Sequence, residues 1–461
     1  MSNLRALLRQ TADHVADFRE DVMGRPVGPT ASVEDLRAAF GGLLPEEGTD
    51  AEAVIDELVA AADPGIVASV GPRYFGFVIG GSLDAATGAD LLTTGWDQPA
   101  FNLATSPAAL VVEEVTGAWL KEIFGLPAHA SFGFVTGAQG ANTVGLAAAR
   151  HRVLASAGWD VERRGLIGAP RVRIVANEER HGTIDRSLRL LGFGADVLEP
   201  VATDGNGAIV PDELARVLDG GPEAPTIVCL QTGNVNTGAC DDLAATCEIG
   251  HRRGAWVHVD GAFGLWAAAS PSTRHLVEGI ELADSWGTDG HKWLNLPYDG
   301  GFAFCADPEA HAASMAYTAA YLVGQGTAGV RAPGDYVVES SRRARGFPAW
   351  AALRELGRRG VEDLVDGCCA LARRFAERLG AVEGLSVVND VVLNQVLVSF
   401  GDDERTDRVI DAVQRDGTCW MGGTTWRGRR LMRISVSNWT TTAEDVDRSA
   451  AAIERIHAEL D

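Results

Sequence analysis

The stretch that decides the fold is Trp256-Val257-His258-Val259-Asp260-Gly261-Ala262-Phe263. A short apolar, β-rich run ends in an aspartate and then small residues, as a buried strand of a parallel sheet does where it gives way to a ligand-bearing loop. A second run, Gly287-Thr288-Asp289-Gly290-His291-Lys292-Trp293, reads as another strand end, with Lys292 lying 32 positions after Asp260. Outward from this pair, β-rich runs at 172–176, 226–231, 255–259 and 301–305 alternate with helical runs at 141–157, 211–218 and 241–252. That alternation predicts an α/β fold with a mostly parallel sheet covered by helices, and ligand sites in the loops at the strands' carboxyl ends.

Three domains are expected along the 461 residues. Residues 1–70 read as an amphipathic helical segment, too small for a core of its own and expected to pack on a partner subunit. Helix starts with acidic first turns are read at Ser32-Val33-Glu34-Asp35 and Thr49-Asp50-Ala51-Glu52. Residues 71–335 form the large α/β domain. Residues 336–461, with a long helical stretch over 348–380 and strand-like runs at 385–388, 391–400 and 431–436, form a small α+β domain. Between them, Gly324-Gln325-Gly326-Thr327-Ala328-Gly329 reads as a connection or a mobile active-site loop.

Composition narrows the function. Forty basic against 63 acidic residues give a formal charge of −23, which repels phosphate backbones and anionic lipid heads and argues against nucleic-acid or membrane partners. No apolar run approaches the ~20 residues of a bilayer span, and Met1-Ser2-Asn3-Leu4-Arg5 does not open a secretory signal. Seven cysteines without a CxxC spacing suggest neither a disulfide framework nor a metal site, and fit a reducing cytoplasm. Only two basic residues are lysines, Lys121 and Lys292. A chain that uses arginine for its general charge keeps a lysine where an amine must lose its proton and attack a carbonyl. Lys121 reads as a solvated helix residue; Lys292 does not.

A lysine and an aspartate at neighbouring strand ends suit pyridoxal 5'-phosphate. The amine takes the cofactor aldehyde and the carboxylate keeps a proton on the pyridine nitrogen. Val135-Thr136-Gly137-Ala138-Gln139-Gly140-Ala141-Asn142 leads into a helix whose free N–H groups suit a phosphate. His181 follows a strand end and could stack on an aromatic ring. His258, on the opposite sheet face from Val259, reads as structural.

Together these motifs resemble the group II pyridoxal-phosphate-dependent amino acid decarboxylases, fold type I enzymes that include aromatic amino acid and glutamate decarboxylases. The resemblance runs from about residue 72 to the C-terminus. It includes Ser106-Pro107-Ala108 with Glu113, Gly233-Asn234-Val235 with Asp241, and Arg342-Arg343 with Trp350. It implies a Schiff base at Lys292, with Asp260 on the ring nitrogen, His181 and Ala262 on the two ring faces, and Asn234 near the ring substituents. The phosphate would be held by Gly137, Ala138, Gln139 and His291. Tyr336, or Tyr321 upstream, would return a proton to the substrate carbon, giving an amine from an L-amino acid in a homodimer with its site at the interface. The sequence also departs from the family pattern. Gly71-Pro72 stands where His-Pro is usual, Val78-Ile79-Gly80-Gly81 where aromatic-substrate members carry an aromatic-proline lip, and Pro348 where a lysine is usual. Gly80 and Gly81 hint at a pocket without an aromatic wall, and Trp96, Gln98, Phe101 and Asn102 are candidates to rebuild it. Other pyridoxal phosphate chemistry (oxidative aldehyde formation, C–C lysis or transamination) stays open, as does a non-catalytic role on the same fold.

Overall fold

In the computed structural model, residues 3–317 and 330–460 are described. Tyr321 and the glycine-rich run 324–329 lie outside them. The strands of the large sheet are β1 (Ser131–Val135), β2 (Arg173–Asn177), β3 (Leu198–Val201), β4 (Thr226–Gln231), β5 (Trp256–Asp260), β6 (Ser285–Asp289) and β7 (Gly301–Cys305). They form one seven-stranded sheet in the order β1-β7-β6-β5-β4-β2-β3. All neighbours are parallel except β7, which runs antiparallel to β1 and β6. Every residue of β4, β5 and β6 is buried, because helices cover both faces. The run around Asp260 is therefore a central strand, and Gln231, Asp260 and Gly287 lie side by side in register at the carboxyl edge.

Local chemistry sets the flanking helices. Ser106 caps Pro107–Phe124 by accepting from Ala109 N, proline takes the first turn, and Gly125 closes it in the left-handed region. Gly137 precedes the helix Ala138–Ser156 because nothing larger fits. A Cβ there would lie 2.9 Å from both Asp289 Oδ1 and His291 Cε1, and one on Gly301 would lie 2.5 Å from the Gly137 Cα.

The second sheet has the order β10-β11-β9-β8, from β8 (Ser386–Val387), β9 (Gln395–Ser399), β10 (Gly422–Trp426) and β11 (Arg429–Ser435), all antiparallel. The helices Asp403–Asp416 and Gly346–Gly380 pack on it, the latter bending at Gly357 with φ 60°, and Ala443–Glu459 packs on both helices. The strand expected over 391–400 shortens to β9. Before it, Asn389 and Asn394 spend their amides on backbone carbonyls, which turns the chain instead of extending it.

The two sheets are bound through the segment entering the large one. Asn438 donates to Val70 O and Gly71 O, Thr441 to Pro72 O, and Ser435 N to Phe75 O. The N-terminal helices Leu4–Asp21, Val33–Phe40 and Ala51–Ala62 start at Asn3, Ser32 and Asp50 caps and contain no buried residue. Lys121 departs from its solvated expectation. Its ammonium donates to Ala128 O at 2.6 Å and Ala130 O at 2.8 Å, closing the turn into β1, because a long aliphatic stem lets the charge reach those carbonyls.

Candidate active site

The carboxyl ends of β5 and β6 bring Asp260 and Lys292 into one electrostatic cluster with His181 and Arg433. Asp260 is 5 % exposed. Its Oδ1 accepts from Ala262 N at 3.2 Å and its Oδ2 from Thr183 Oγ1 at 3.3 Å. Burial raises its carboxyl above the ordinary range, while His181 and Lys292 pull it down.

A chain of hydrogen bonds leads into that aspartate. Trp256 Nε1 donates to Ser285 Oγ at 2.9 Å, and Ser285 Oγ meets His258 Nδ1 at 2.9 Å. His258 Nε2 donates to Asn142 Oδ1 at 3.1 Å, and Asn142 Nδ2 donates to Thr183 Oγ1 at 3.2 Å. The amide oxygen only accepts, so His258 carries its proton on Nε2 and takes the Ser285 proton on Nδ1. Burial holds this imidazole neutral, pushed down to about 3. His258 is structural, as its strand position suggested, and the chain ends by aiming the Thr183 hydroxyl at Asp260.

His181 caps the helix Gly182–Leu190, with its Nδ1 accepting from Thr183 N at 3.3 Å. The residue is exposed by surface area, yet protein atoms crowd the ring enough to lower its pKa. Loss of water is the main cause, and Lys292 and Arg433 add to it against the pull of Asp260. The loop before it is fixed by Glu179, which accepts from Trp426 Nε1 at 2.7 Å, Arg427 Nε at 2.8 Å and Asn234 Nδ2 at 3.1 Å. Asn234 is fully buried, and its Oδ1 accepts from Asn236 N and Thr237 N. Its amide holds the turn together.

At β6, Asp289 is 2 % exposed. Its Oδ2 lies 2.9 Å from Lys292 Nζ. Its Oδ1 accepts from Ala138 N at 2.5 Å and lies 3.3 Å from His291 Nε2. His291 accepts from Gly300 N on Nδ1 and stacks on Tyr298 at 4.3 Å. Gln139 spends its amide on Ser187 Oγ at 2.8 Å. The backbone at Lys292 is equally confined. A Cβ on Gly80 would lie 1.9 Å from Lys292 O, and one on Gly81 2.6 Å from Asn438 Oδ1. Gly80 is therefore demanded by close packing under the lysine, and Gly81 by close packing on Asn438. Asn295 ties the layers together, accepting from Gly81 N and Trp439 N and donating to Ser437 O.

Tyr336 lies elsewhere. Its ring meets the edge of His311 at 5.0 Å under the Arg331 guanidinium, beside β1, and its carbonyl accepts from His311 Nε2. No described hydrogen bond joins it to Lys292, Asp260 or His181. Trp96 packs on Phe347, Gln98 donates to Trp96 O, Asn102 bonds Thr105, and Phe101 borders Gly334. Sequence reading missed the roles of Thr183, Asn142, Asn295, Arg433 and Asp289. Arg433 donates to Val235 O at 3.0 Å from β11. Only Asp289 and Asn142 carried a signal, as members of runs already singled out.

The residues fit pyridoxal phosphate in three respects. Lys292 offers an amine, and Asp260 a buried carboxylate. Gln231, in register with Asp260, buries an amide nitrogen that has no partner. The helix N-terminus at Ala138 offers an N–H, although Asp289 already engages it. This arrangement defines a pyridoxal-phosphate-dependent enzyme of fold type I. The pyridoxal-dependent decarboxylase conserved domain matches residues 34–401, and the chain belongs to that family. It is 26 % identical to tryptophan decarboxylase 1 of Oryza sativa subsp. japonica, over 95 % of this chain and 90 % of that one. It is 24 % identical to phenylacetaldehyde synthase of Arabidopsis thaliana, over 96 % and 93 %. Among solved structures, Oryza sativa TDC with PLP and tryptamine superposes with a TM-score of 0.92 at 24 % identity, covering 99 % of this chain and 98 % of that one. Among the described residues no helix is long and apolar enough to cross a membrane.

Proposed function

We propose that this chain removes carbon dioxide from an L-amino acid to give the corresponding amine, working as a cytoplasmic homodimer. The observation that carries the reading is Lys292 and Asp260 at adjacent strand ends beside His181, within a family of pyridoxal-dependent decarboxylases. When bound, the cofactor supplies an aldehyde for the lysine amine and a ring that accepts the electron pair left by the departing carboxylate.

The chain's residues do the rest. Asp260, oriented by Thr183 Oγ1 and Ala262 N, would hold a proton on the ring nitrogen. His181, held through Nδ1 at its helix start, would offer a flat face to the cofactor ring, and Ala262 would pack against the ring's other face. Gly137, Ala138, Gln139 and His291 would hold the phosphate, and Asn234 keeps the neighbouring turn in place. Arg433 offers a cation beside His181 for an anionic group of the substrate. Tyr336 returns the proton to the substrate carbon only if its ring leaves His311 or serves the site of a second copy. Exposed Leu4, Leu8, Val33, Phe40, Val54 and Leu58 on the N-terminal helices supply apolar surface for that second copy to cover.

A second reading is oxidative formation of an aldehyde. It is favoured by the packing of Tyr336 against His311, since a substrate carbon left without a proton donor is open to oxygen, and by the relative named phenylacetaldehyde synthase. Mass spectrometry of products from the cofactor-loaded protein in air, with aromatic L-amino acids first, separates the two. An amine with carbon dioxide supports decarboxylation; an aldehyde with consumed oxygen replaces it; a keto acid overturns both.

A further inference from the structure

Asp289 has no part in the reaction outlined above, yet it touches both groups that should receive the cofactor. One oxygen accepts from Ala138 N, the first N–H of the helix Ala138–Ser156, and the other lies 2.9 Å from Lys292 Nζ. The carboxylate has almost no contact with solvent, so its charge is poorly screened. A glycine on each side of this contact, Gly137 and Gly301, lets helix, strand and carboxylate approach closely, and His291 closes the fourth side. A cofactor phosphate bound to this helix start would be a second anion on the same N–H.

We propose that Asp289 is a positioning residue that weakens the hold on the cofactor's phosphate. It competes for the Ala138 N–H and repels the phosphate, while its ion pair keeps Lys292 aimed at the aldehyde. The proposal rests on the assignment of Lys292 and the Ala138 helix to the cofactor, and is independent of which product the enzyme makes. Its consequence is a site that discriminates poorly between a phosphorylated and an unphosphorylated pyridoxal. Asparagine at 289 has the same shape and keeps an oxygen for the Ala138 N–H, but it carries no charge. Loss of a unit charge this close to a phosphate should strengthen binding by about tenfold or more.

The test is equilibrium titration of the full-length chain and its Asp289→Asn variant with pyridoxal 5'-phosphate and, separately, with pyridoxal, read by the absorption band of the lysine adduct. Inorganic phosphate serves as competitor. The expected result is a Kd for pyridoxal phosphate lowered about tenfold or more in the variant. The Kd for pyridoxal should change less than about threefold, and inorganic phosphate should compete at lower concentration. Retained pyridoxal binding shows that the variant is folded, and Asp289→Ser, which also lacks the charge, should shift in the same direction. Unchanged or weaker binding of pyridoxal phosphate would overturn the proposal. Equal tightening of both ligands would also overturn it, by placing the effect on Lys292 instead of the phosphate. If the unaltered chain forms no adduct band with either aldehyde, the cofactor assignment itself fails and the proposal with it.

Discussion

Lys292 is the lysine proposed to take the cofactor; Lys121 is bound to Ala128 O and Ala130 O at the end of its helix. Replacing Lys292 with alanine should abolish the absorption band of the loaded protein; a band that persists unchanged would move the attachment elsewhere. If Asp260 acts through charge as proposed, Asp260→Asn should keep the fold and cofactor binding while lowering kcat by about a hundredfold or more, the scale of removing one preorganised electrostatic partner. Steady-state kinetics checks this, and a loss below about threefold would remove Asp260 from the ring nitrogen. That Lys292, Asp260 and Gly137 would come together was legible, because they end or follow runs that read as neighbouring strands and the chain is nearly free of other lysines. Thr183 and Asn142 were not given their role, because a threonine and an asparagine become a relay only when folding brings β5, β6 and two helices together. The packing role of Gly80 was hidden for a related reason. Its small size answers to the Lys292 carbonyl 1.9 Å from any Cβ, a contact no local pattern announces.

The element scale shows how strands and helices hold the site. The helix Pro107–Phe124 is joined to the segment before Gly346–Gly380 by Glu113 and Arg342, both buried, with two bonds of 2.7 and 2.8 Å. Glu113→Ala leaves an uncompensated guanidinium and should cost about 3–5 kcal/mol. Replacing both partners with Leu and Met should cost far less, and urea unfolding of the two variants compares them directly. Equal losses would show that packing, and not the stranded charge, sets the cost. The turn between β10 and β11 carries Trp426 and Arg427 to Glu179, two residues before His181. Glu179→Ala should destabilise by about 1–3 kcal/mol, as expected when a buried charge-assisted donor loses its acceptor. It should also raise the KM of the substrate, whereas a solely structural role would leave KM alone. The strands β4, β5 and β7 stood out in the sequence because two-sided burial writes unbroken apolar runs. The bend at Gly357, the link from Asn438 to Val70 and Gly71, and the antiparallel sense of β7 did not, because they depend on partners far along the chain.

For the molecule as a whole, acid stability follows from groups buried without charge. His258 and His311 are both pushed down to about 3 by burial, whereas in the unfolded chain they titrate near their ordinary value of about 6.5. Between those values the unfolded state binds more protons than the folded one. Each histidine's contribution is therefore complete above about pH 6.5 and declines on acidification, by about 1.4 kcal/mol per pH unit. Asp241 works in the opposite direction. Burial raises its carboxyl to about 6, so the folded state binds the extra proton, and acidification from 6 toward 4 adds stability. Together, two histidines and one aspartate leave a net loss equal to about one histidine between pH 6 and 4, and to two once Asp241 has finished titrating. The formal charge of −23 shrinks over the same range, relieving self-repulsion and softening the decline. His258→Gln preserves an acceptor for Ser285 and a donor for Asn142, but it cannot take up a proton. Urea unfolding at pH 7, 6 and 5 should show the unaltered protein losing stability more steeply than this variant, approaching about 1.4 kcal/mol per pH unit below about pH 6.5. Parallel slopes would mean that His258 is not held neutral in the fold, and would break the hydrogen-bond chain that ends at Asp260.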